Sequence, residues 1–228
     1  MPEFRRLREE TLGWTQIMNR QMRSLWEKGV GKSEVAWSMS RLPVFPEMLD
    51  AVCMAGRAGA GQAVVSDANT VFIEDFLAHH GIRSLFGKGI HTNRAVFDED
   101  GRLDVQPYQV DQGASHGCSL CPPNMCKGKI QDDLLGCEGG SERTVDKVIY
   151  VGDGGGDYCP ALRLRPEDLL LARDGGDGGR QYGLLQRIEK GEGGPLACRL
   201  AKWENGQHVY CALEKELSEF TPLNSAAM

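Results

Sequence analysis

Two carboxylates stand four positions apart in a glycine-rich segment that follows a short apolar run. The run, residues 148–151 (Val-Ile-Tyr-Val), has the composition of a buried strand. Asp153 and Asp157 follow it among glycines, which let the backbone turn tightly and approach an ion or a phosphate. Because Mg²⁺ is typically held by one or two carboxylates together with phosphate oxygens, the pair predicts a magnesium site suited to phosphoryl chemistry.

The composition of this loop does not by itself distinguish a metal site from a surface turn. Residues 173–180 (Arg-Asp-Gly-Gly-Asp-Gly-Gly-Arg) repeat the Asp-Gly pattern after another apolar run. We interpret that second stretch as a solvated loop. Two further segments therefore decide how the first loop is interpreted.

The first of these segments is residues 63–65, a short apolar run that ends in polar groups just before a helical pattern. A helix N-terminus placed after a strand suits an anion, so Ser66 would offer a hydroxyl and an N–H group to a phosphate. Asp67 and Asn69 would face the substrate. Asn69 or Thr70 would also cap the helix, which is a purely structural role.

The second segment is a compact, proline-stiffened turn that ends at Lys127. A fixed ammonium group beside a phosphate and a metal-bound carboxylate would balance charge during phosphoryl transfer. An ordinary surface lysine is the alternative for any single residue of this type.

In chain order, these segments resemble three motifs of haloacid-dehalogenase-like phosphatases. The second, third and fourth motifs of that superfamily are matched by residues 66–70 (Ser-Asp-Ala-Asn-Thr), 121–128 (Cys-Pro-Pro-Asn-Met-Cys-Lys-Gly) and 152–160. The sequence is most similar to the pyridoxal phosphate, phosphoethanolamine and phosphocholine phosphatase family, including plant thiamine phosphate phosphatase-like members. Residues 90–93 and 97–103 agree as well, and the resemblance fades in about the last fifty residues.

The resemblance implies a three-layer, Rossmann-like (HAD-like) α/β fold with a parallel sheet and a helical cap. It also implies Mg²⁺-dependent hydrolysis of a small phosphomonoester, in which an aspartate of an Asp-Phe-Asp-x-Thr motif on the first strand attacks phosphorus and a second aspartate acts as acid and base. Ser66 would then hold the phosphoryl group, Asp67 would contact substrate, and Lys127 would orient and neutralise. Asp153 and Asp157 would secure the Mg²⁺.

The chain departs from this family pattern at the first motif. No aspartate precedes Asp50, and no Asp-x-Asp precedes Ser66. We expect the nucleophile and its strand to be missing, through an incomplete gene model, a shortened isoform or a catalytically silent relative. Because the first strand of such a sheet usually lies centrally, its loss would split the sheet. We therefore expect the chain to fold poorly alone unless another segment fills the slot, and to show no turnover.

Residues 1–58 are predicted to form a helical cap segment, and residues 59–228 the α/β core. An apolar helical stripe is formed by Trp14, Met18, Met22, Leu25 and Trp26, and core packing is the favoured explanation for it. A second helix is predicted from Pro46. Near the other end we predict a strand over 198–203 and a helix over 209–217.

Composition limits the functional classes. The chain has 228 residues, 41% of them hydrophobic, and a formal net charge of −6. This charge argues against nonspecific binding to nucleic acid or anionic lipid. The sequence shows neither an apolar run long enough to span a membrane nor the apolar centre of a signal peptide, so a cytoplasmic location is expected.

Eight cysteines are dispersed along the chain and are expected to be reduced thiols. His116, Cys118, Cys121 and Cys126 have spacings that would also allow a tetrahedral zinc site. Two alternatives to the phosphatase therefore stand: a structural zinc-binding module, and a non-catalytic protein that binds phosphate and metal without turnover.

Overall fold

The computed structural model describes residues 13–109, 116–137, 143–176, 179 and 181–219. Its helices are α1 (Trp14–Trp26), α2 (Lys32–Ser40), α3 (Pro46–Arg57), α4 (Thr70–His79), α5 (Lys127–Leu135), α6 (Tyr158–Ala161), α7 (Gly183–Lys190) and α8 (Gly206–Glu219). Its strands are β1 (Val64–Asn69), β2 (Ile90–Phe97), β3 (Leu103–Gln106), β4 (Ile149–Gly152), β5 (Leu169–Arg173) and β6 (Arg199–Trp203). Short 3₁₀ turns cover Arg83–Leu85 and Gly155–Asp157.

The strands form two three-stranded sheets, ordered β1-β2-β3 and β4-β5-β6. Strands β1 and β2 are parallel, and β3 returns antiparallel to β2 with Phe97 opposite Leu103. In the second sheet all strands are parallel, with Gly152 opposite Ala172. The predicted α/β class with parallel strands is confirmed.

The two sheets share no strand pairing within the described ranges. β1 and β4, the strands that precede the two predicted site segments, each lie at an edge of their sheet. The missing first strand was expected to lie between these two strands, so the expected split of the sheet falls between β1 and β4. Whether the chain folds poorly alone stays a prediction.

Strand β5 shows why the second sheet forms the main core. Its leucines alternate between the two faces of the sheet, as side chains on a strand must. Leu170 and Ala172 pack with residues of α6 and α7 on one face. Leu169 and Leu171 pack with residues of α3 and α8 on the other. Helices therefore cover both faces of this sheet, which explains the continuous apolar run of β5.

The N-terminal helices pack on the elements that follow them. Met18 and Met22 of α1 contact the buried cluster around Val105, as core packing of the predicted stripe requires. Leu25 and Trp26 at the end of α1 are exposed, so the prediction was wrong for these two residues. Helix α2, which the sequence did not reveal to us, packs against α4, and α3 packs against α8. A cap boundary after residue 58 stays a prediction.

The predicted C-terminal strand and helix are present as β6 and α8. The glycine-rich stretch that we predicted to be a surface loop begins where β5 ends, and residues 177, 178 and 180 lie outside the described part of the chain. Among the helices described, none has the length and apolar character needed to cross a membrane.

Candidate functional site

Three separate stretches of chain meet around the side chain of Lys127, the first residue of α5. Its Nζ lies 2.8 Å from Oδ1 of Asp157, which follows β4, and 3.6 Å from Oδ2 of Asp67 near the end of β1. The exposed fractions of the three side chains are 12% for Lys127, 7% for Asp157 and 28% for Asp67. Carboxyl ends of parallel strands are where ligands bind in open α/β sheets, so the chain brings charged groups together at the expected edge.

Lys127 is held as a cation. Burial by itself would lower its pKa, but the charges of Asp157 and Asp67, the hydrogen bond to Asp157 and the charge of Asp153 outweigh burial and raise the pKa. The ammonium group is therefore fixed and charged at the pH of the cell. This is the state that can neutralise a phosphoryl group.

Asp157 accepts four hydrogen bonds. Its Oδ1 accepts from Lys127 Nζ at 2.8 Å and from the Tyr150 hydroxyl at 2.9 Å. Its Oδ2 accepts from the main-chain N–H groups of Asp153 at 3.0 Å and Gly154 at 2.9 Å. Burial raises the pKa of Asp157, but the Lys127 charge and these hydrogen bonds lower it further than burial raises it. Because four donors use the lone pairs of both oxygens, Asp157 in this structure fixes the loop and the lysine.

The neighbouring carboxylate of Asp153 has a different environment. Its side chain is exposed, and its main chain pairs with Asp157 and, through the carbonyl, with the Leu184 amide. Within the part of the chain that the structure describes, no donor is bonded to its carboxylate oxygens. Asp153 is therefore free to bind a cation.

Two glycines of this loop lie where an added side chain would crowd its neighbours. A Cβ on Gly152 would lie 2.9 Å from Cβ and Cγ of Asp157, and one on Gly156 would lie 3.1 Å from Oδ2 of Asp67. Neither glycine has a positive φ. The predicted close approach of the backbone is thus real, but it serves neighbouring side chains of the same protein.

The polar residues at the end of β1 lie beside this centre. The Ser66 hydroxyl accepts a hydrogen bond from the Ala68 amide at 3.2 Å and is half-buried. Asn69 is completely buried, and its Oδ1 accepts from the Phe72 amide at 3.0 Å. Asn69 therefore caps α4, which confirms the structural role considered for it. A contact between its side chain and substrate stays a prediction.

Two asparagines hold Asp67 in place, a role that the sequence did not reveal to us. Asn124 Nδ2 donates to Oδ1 of Asp67 at 3.0 Å. Asn93 Nδ2 donates to the Asp67 carbonyl at 2.8 Å, and the Trp14 indole donates to the same carbonyl at 2.5 Å. Asn93 and Asn124 both lie in segments that resemble the family, which was the available signal. Their partners became evident only when β1, β2 and the turn before α5 came together.

Tyr150 is a further residue that sequence reasoning missed. It lies on β4 and donates its hydroxyl to the carboxylate that holds Lys127. Burial and the adjacent Asp157 charge raise the pKa of Tyr150 well above its ordinary value, so it stays a donor.

The four residues considered for zinc are only partly brought together. Sulfur atoms of Cys118, Cys121 and Cys126 converge, and the fourth member of the group is Cys159. His116 lies outside it because both ring nitrogens are engaged: Nε2 lies 2.9 Å from the Pro122 carbonyl, and Nδ1 lies 3.1 Å from the Cys118 amide, which donates to it. Among the described residues, the group that could hold a metal ion therefore contains Cys159 and not His116.

Comparisons with known proteins agree with this geometry. The family described as Putative Phosphatase matches residues 2–217. Inorganic pyrophosphatase 2 of Arabidopsis thaliana is 44% identical over 163 residues, which cover 72% of this chain and 58% of the relative. Thiamine phosphate phosphatase-like protein of the same plant is 36% identical over 163 residues, covering 72% of this chain and 66% of the relative. Pyridoxal phosphate phosphatase PHOSPHO2 of Homo sapiens is 30% identical over 205 residues, covering 88% of this chain and 80% of the relative.

The chain spans 58% and 66% of the lengths of the two Arabidopsis relatives that it matches. The family match nevertheless includes every segment that forms the centre around Lys127. The chain belongs to this haloacid-dehalogenase-like phosphatase family.

Proposed function

We propose that the centre around Lys127 binds a phosphoryl group together with Mg²⁺, and that it is part of an enzyme that hydrolyses a small phosphomonoester. The observation that carries this proposal is the buried ammonium of Lys127, held 2.8 Å from Asp157 and 3.6 Å from Asp67 where β1, β4 and α5 meet. A fixed cation at the start of a helix favours an anion, because the N–H groups and the helix dipole add to the positive charge.

Each of the described residues has a separate role around the phosphoryl group. Lys127 neutralises the phosphoryl oxygens, and the Ser66 hydroxyl and main chain bind one of them. Asp67, held by Asn124, contacts the rest of the substrate. Asp157 and Tyr150 position the lysine and do not touch substrate.

The donor set is suited to one magnesium ion with several waters. Asp153 supplies a free, exposed carboxylate, and Mg²⁺ commonly uses only one or two protein carboxylates besides water and phosphate. Since four donors use the oxygens of Asp157, we propose that Asp153 binds the ion directly. Asp157 would instead hold the backbone of the loop in position. When bound, the ion would polarise phosphoryl oxygens and neutralise developing charge.

The substrate class is a small phosphorylated metabolite. The relatives are named for pyrophosphate, thiamine phosphate and pyridoxal phosphate. A net charge of −6 supports a small-molecule partner over nucleic acid, and we propose a cytoplasmic location.

A second candidate function is binding of phosphate and metal without turnover. It is supported by the charged groups around Lys127, which could hold a phosphate and a cation whether or not an attacking carboxylate is supplied. Such a protein would keep Lys127 and Asp153 but would not form the aspartyl phosphate.

Binding and hydrolysis are measured side by side to separate the two functions. Inorganic phosphate is titrated calorimetrically with and without Mg²⁺, and hydrolysis of p-nitrophenyl phosphate, pyridoxal phosphate and pyrophosphate is followed in the same buffer. We expect phosphate to bind, more tightly with Mg²⁺, and the chain as given to show no turnover. Asp153→Asn should abolish the effect of Mg²⁺, whereas Asp174→Asn, at an exposed ion pair, should leave it unchanged. Robust hydrolysis that Asp153→Asn abolishes would exclude the non-catalytic function.

The gene offers an independent test of the enzyme. An in-frame upstream exon that encodes an apolar strand followed by Asp-x-Asp should yield a longer protein with Mg²⁺-dependent turnover. Stop codons immediately upstream would instead favour the binding function. Absence of phosphate binding in either form would refute both.

A further inference from the structure

Four cysteine sulfurs lie together directly beside the centre around Lys127. All four Sγ atoms lie within 4.8 Å of one another. The Cys159 Sγ is 3.7 Å from that of Cys118 and 3.9 Å from that of Cys126. Four sulfurs placed tetrahedrally at about 2.3 Å from a zinc ion are about 3.8 Å apart. The two distances from Cys159 therefore fit a mononuclear tetrahedral site, and all the other sulfur pairs lie within 4.8 Å.

The spacing also argues against disulfides. A disulfide brings two sulfurs to about 2.05 Å, and each of these cysteines is a free thiol in the structure. Clusters bridging two or more metal ions would need the sulfurs to be spread more widely than this group allows. The four sulfurs therefore form no disulfide with one another, and they lie too close together for a cluster of several metal ions.

Local structure presents the four thiols to one point. Cys118 and Cys121 form a Cys-x-x-Cys pair on the turn that prolines stiffen, a spacing that recurs in zinc sites. Cys126 is the N-cap residue of α5, and its sulfur accepts a hydrogen bond from the Lys129 amide at 3.4 Å. Main-chain donors of this kind orient ligand sulfurs in metal sites. Cys159, on α6, completes the set from a distant part of the chain.

The cluster is mostly shielded from water. Cys126 and Cys159 are buried, with exposed fractions of 1% and 3%, and the other two are half-buried. The adjacent helix start fits closely against it, since a Cβ on Gly128 would lie 2.6 Å from the Cys159 sulfur.

We propose that these four thiolates bind one structural Zn²⁺ ion. The ligands are Cys118, Cys121, Cys126 and Cys159. Sulfur ligands select zinc over magnesium, so this site is separate from the Mg²⁺ position proposed at Asp153. The ion joins the turn that precedes Lys127 to the residues that follow Asp157, and so it holds together the two segments whose side chains form the buried ion pair. Binding displaces the thiol protons, and affinity therefore falls as pH falls.

Metal content of the purified protein tests this directly. The full chain, purified under reducing conditions without chelator, should contain about one zinc per chain by mass spectrometry of the elements. Cys159→Ser should lose most of it. Cys211→Ser, at an exposed cysteine on α8, is the matched control and should retain it. A wild-type protein without stoichiometric zinc, or a Cys159→Ser variant that keeps as much zinc as the wild type, would overturn the proposal.

A second measurement covers the case in which Cys159→Ser does not fold. Cys121→His keeps a zinc ligand at a half-buried position, so this variant should still hold the metal. Co²⁺ exchanged into the wild-type protein should give the intense visible absorption of tetrahedral cobalt thiolate, and Cys121→His should shift and weaken that absorption. Identical cobalt spectra for the two proteins, or stoichiometric iron in place of zinc, would contradict the assignment. None of these readouts depends on phosphatase activity.

Discussion

Replacing Asp157 by asparagine tests the most heavily connected residue of the site. The substitution keeps the shape of the side chain and one acceptor, so Lys127 and Tyr150 can still donate to Oδ1. The other oxygen becomes an NH₂ group. The main-chain N–H groups of Asp153 and Gly154, now 3.0 and 2.9 Å from Oδ2, would each face a donor and lose their partner.

The size of the effect follows from these contacts. Each of these part-buried N–H groups would lose one hydrogen bond, which costs about 0.5–1.5 kcal/mol. The buried ammonium of Lys127 also loses its nearest charge and keeps only Asp67 at 3.6 Å. Breaking a buried ion pair on one side costs about 3–5 kcal/mol, and we expect a loss in this range from a total stability of about 5–15 kcal/mol.

Thermal unfolding measures this loss. For a chain of this length each kcal/mol shifts Tm by about 2–4 °C, so Asp157→Asn should lower Tm by roughly 6–20 °C. Asp174→Asn makes the same chemical change at an exposed pair with Lys202 and should shift Tm far less. Adding Lys127→Met to Asp157→Asn should cost about 0.5–3 kcal/mol less than the sum of the single changes, because the two residues contact each other.

The loss of stability caused by Asp157→Asn should also become smaller as pH falls. The pKa of Asp157 is lowered in the fold, so its contribution is complete above the ordinary aspartate pKa of about 3.9 and is lost as pH falls through the lower folded value. The gap in stability between the wild type and Asp157→Asn should therefore narrow in acid. The role of Asp157 as the partner of Lys127 would be refuted by two results together. Asp157→Asn and Asp174→Asn would lower Tm equally, and the costs of Asp157→Asn and Lys127→Met would simply add in the double variant.

Three further changes address the framework around the site. Arg143→Lys should lower the free energy of unfolding by about 2 kcal/mol in urea titrations. The buried guanidinium makes two hydrogen bonds to the fully buried Asp168, at 2.6 and 2.9 Å, and an ammonium group cannot reproduce both. An unchanged urea midpoint would contradict this. Gly152→Ala should cost about 1–3 kcal/mol by overpacking, whereas Gly87→Ala, where a Cβ meets nothing within 4 Å, should be nearly neutral by the same measurement. Hydrogen bonding by Arg199 is the chief cause that lowers the pKa of Glu216 to about 2, so stability should fall between about pH 4 and pH 2, and Glu216→Gln should flatten that part of the acid-unfolding profile. A profile that keeps its slope in the glutamine variant would exclude Glu216 as a source.

Local patterns predicted two strands and one helix of the site, but not the helix that begins at Lys127. The apolar runs before Ser66 and Asp153 are strands β1 and β4, and a helix follows the first of them. Their alternation and length are properties of short stretches, so neighbouring residues suffice to predict them. The α2 helix was not predicted because its sequence has no clear apolar stripe, and it is stabilised by packing against α4.

The convergence of Lys127, Asp67 and Asp157 also followed from sequence. The order of the three motifs resembles that of a known family, which implied that they meet. In the structure β1 and β4 belong to separate sheets, and their ends come together at Lys127. The different environments of Asp153 and Asp157 could not be predicted in this way, because both are aspartates in one glycine-rich loop. Only the folded chain shows that four donors use the oxygens of Asp157 while Asp153 is left exposed.

The cysteine group shows the same division between sequence and structure. Sequence spacing placed Cys118, Cys121 and Cys126 near one another but suggested His116 as their companion. The tertiary structure instead brings in Cys159, 33 positions beyond Cys126, and engages both nitrogens of His116 in local hydrogen bonds. The sequence by itself thus determined strands β1 and β4, the helix after β1 and the chemical types of the site residues that accompany them, because these depend on local pattern. The tertiary structure alone decided which donor meets which acceptor, because those partners are distant in the chain and come together only when its elements pack.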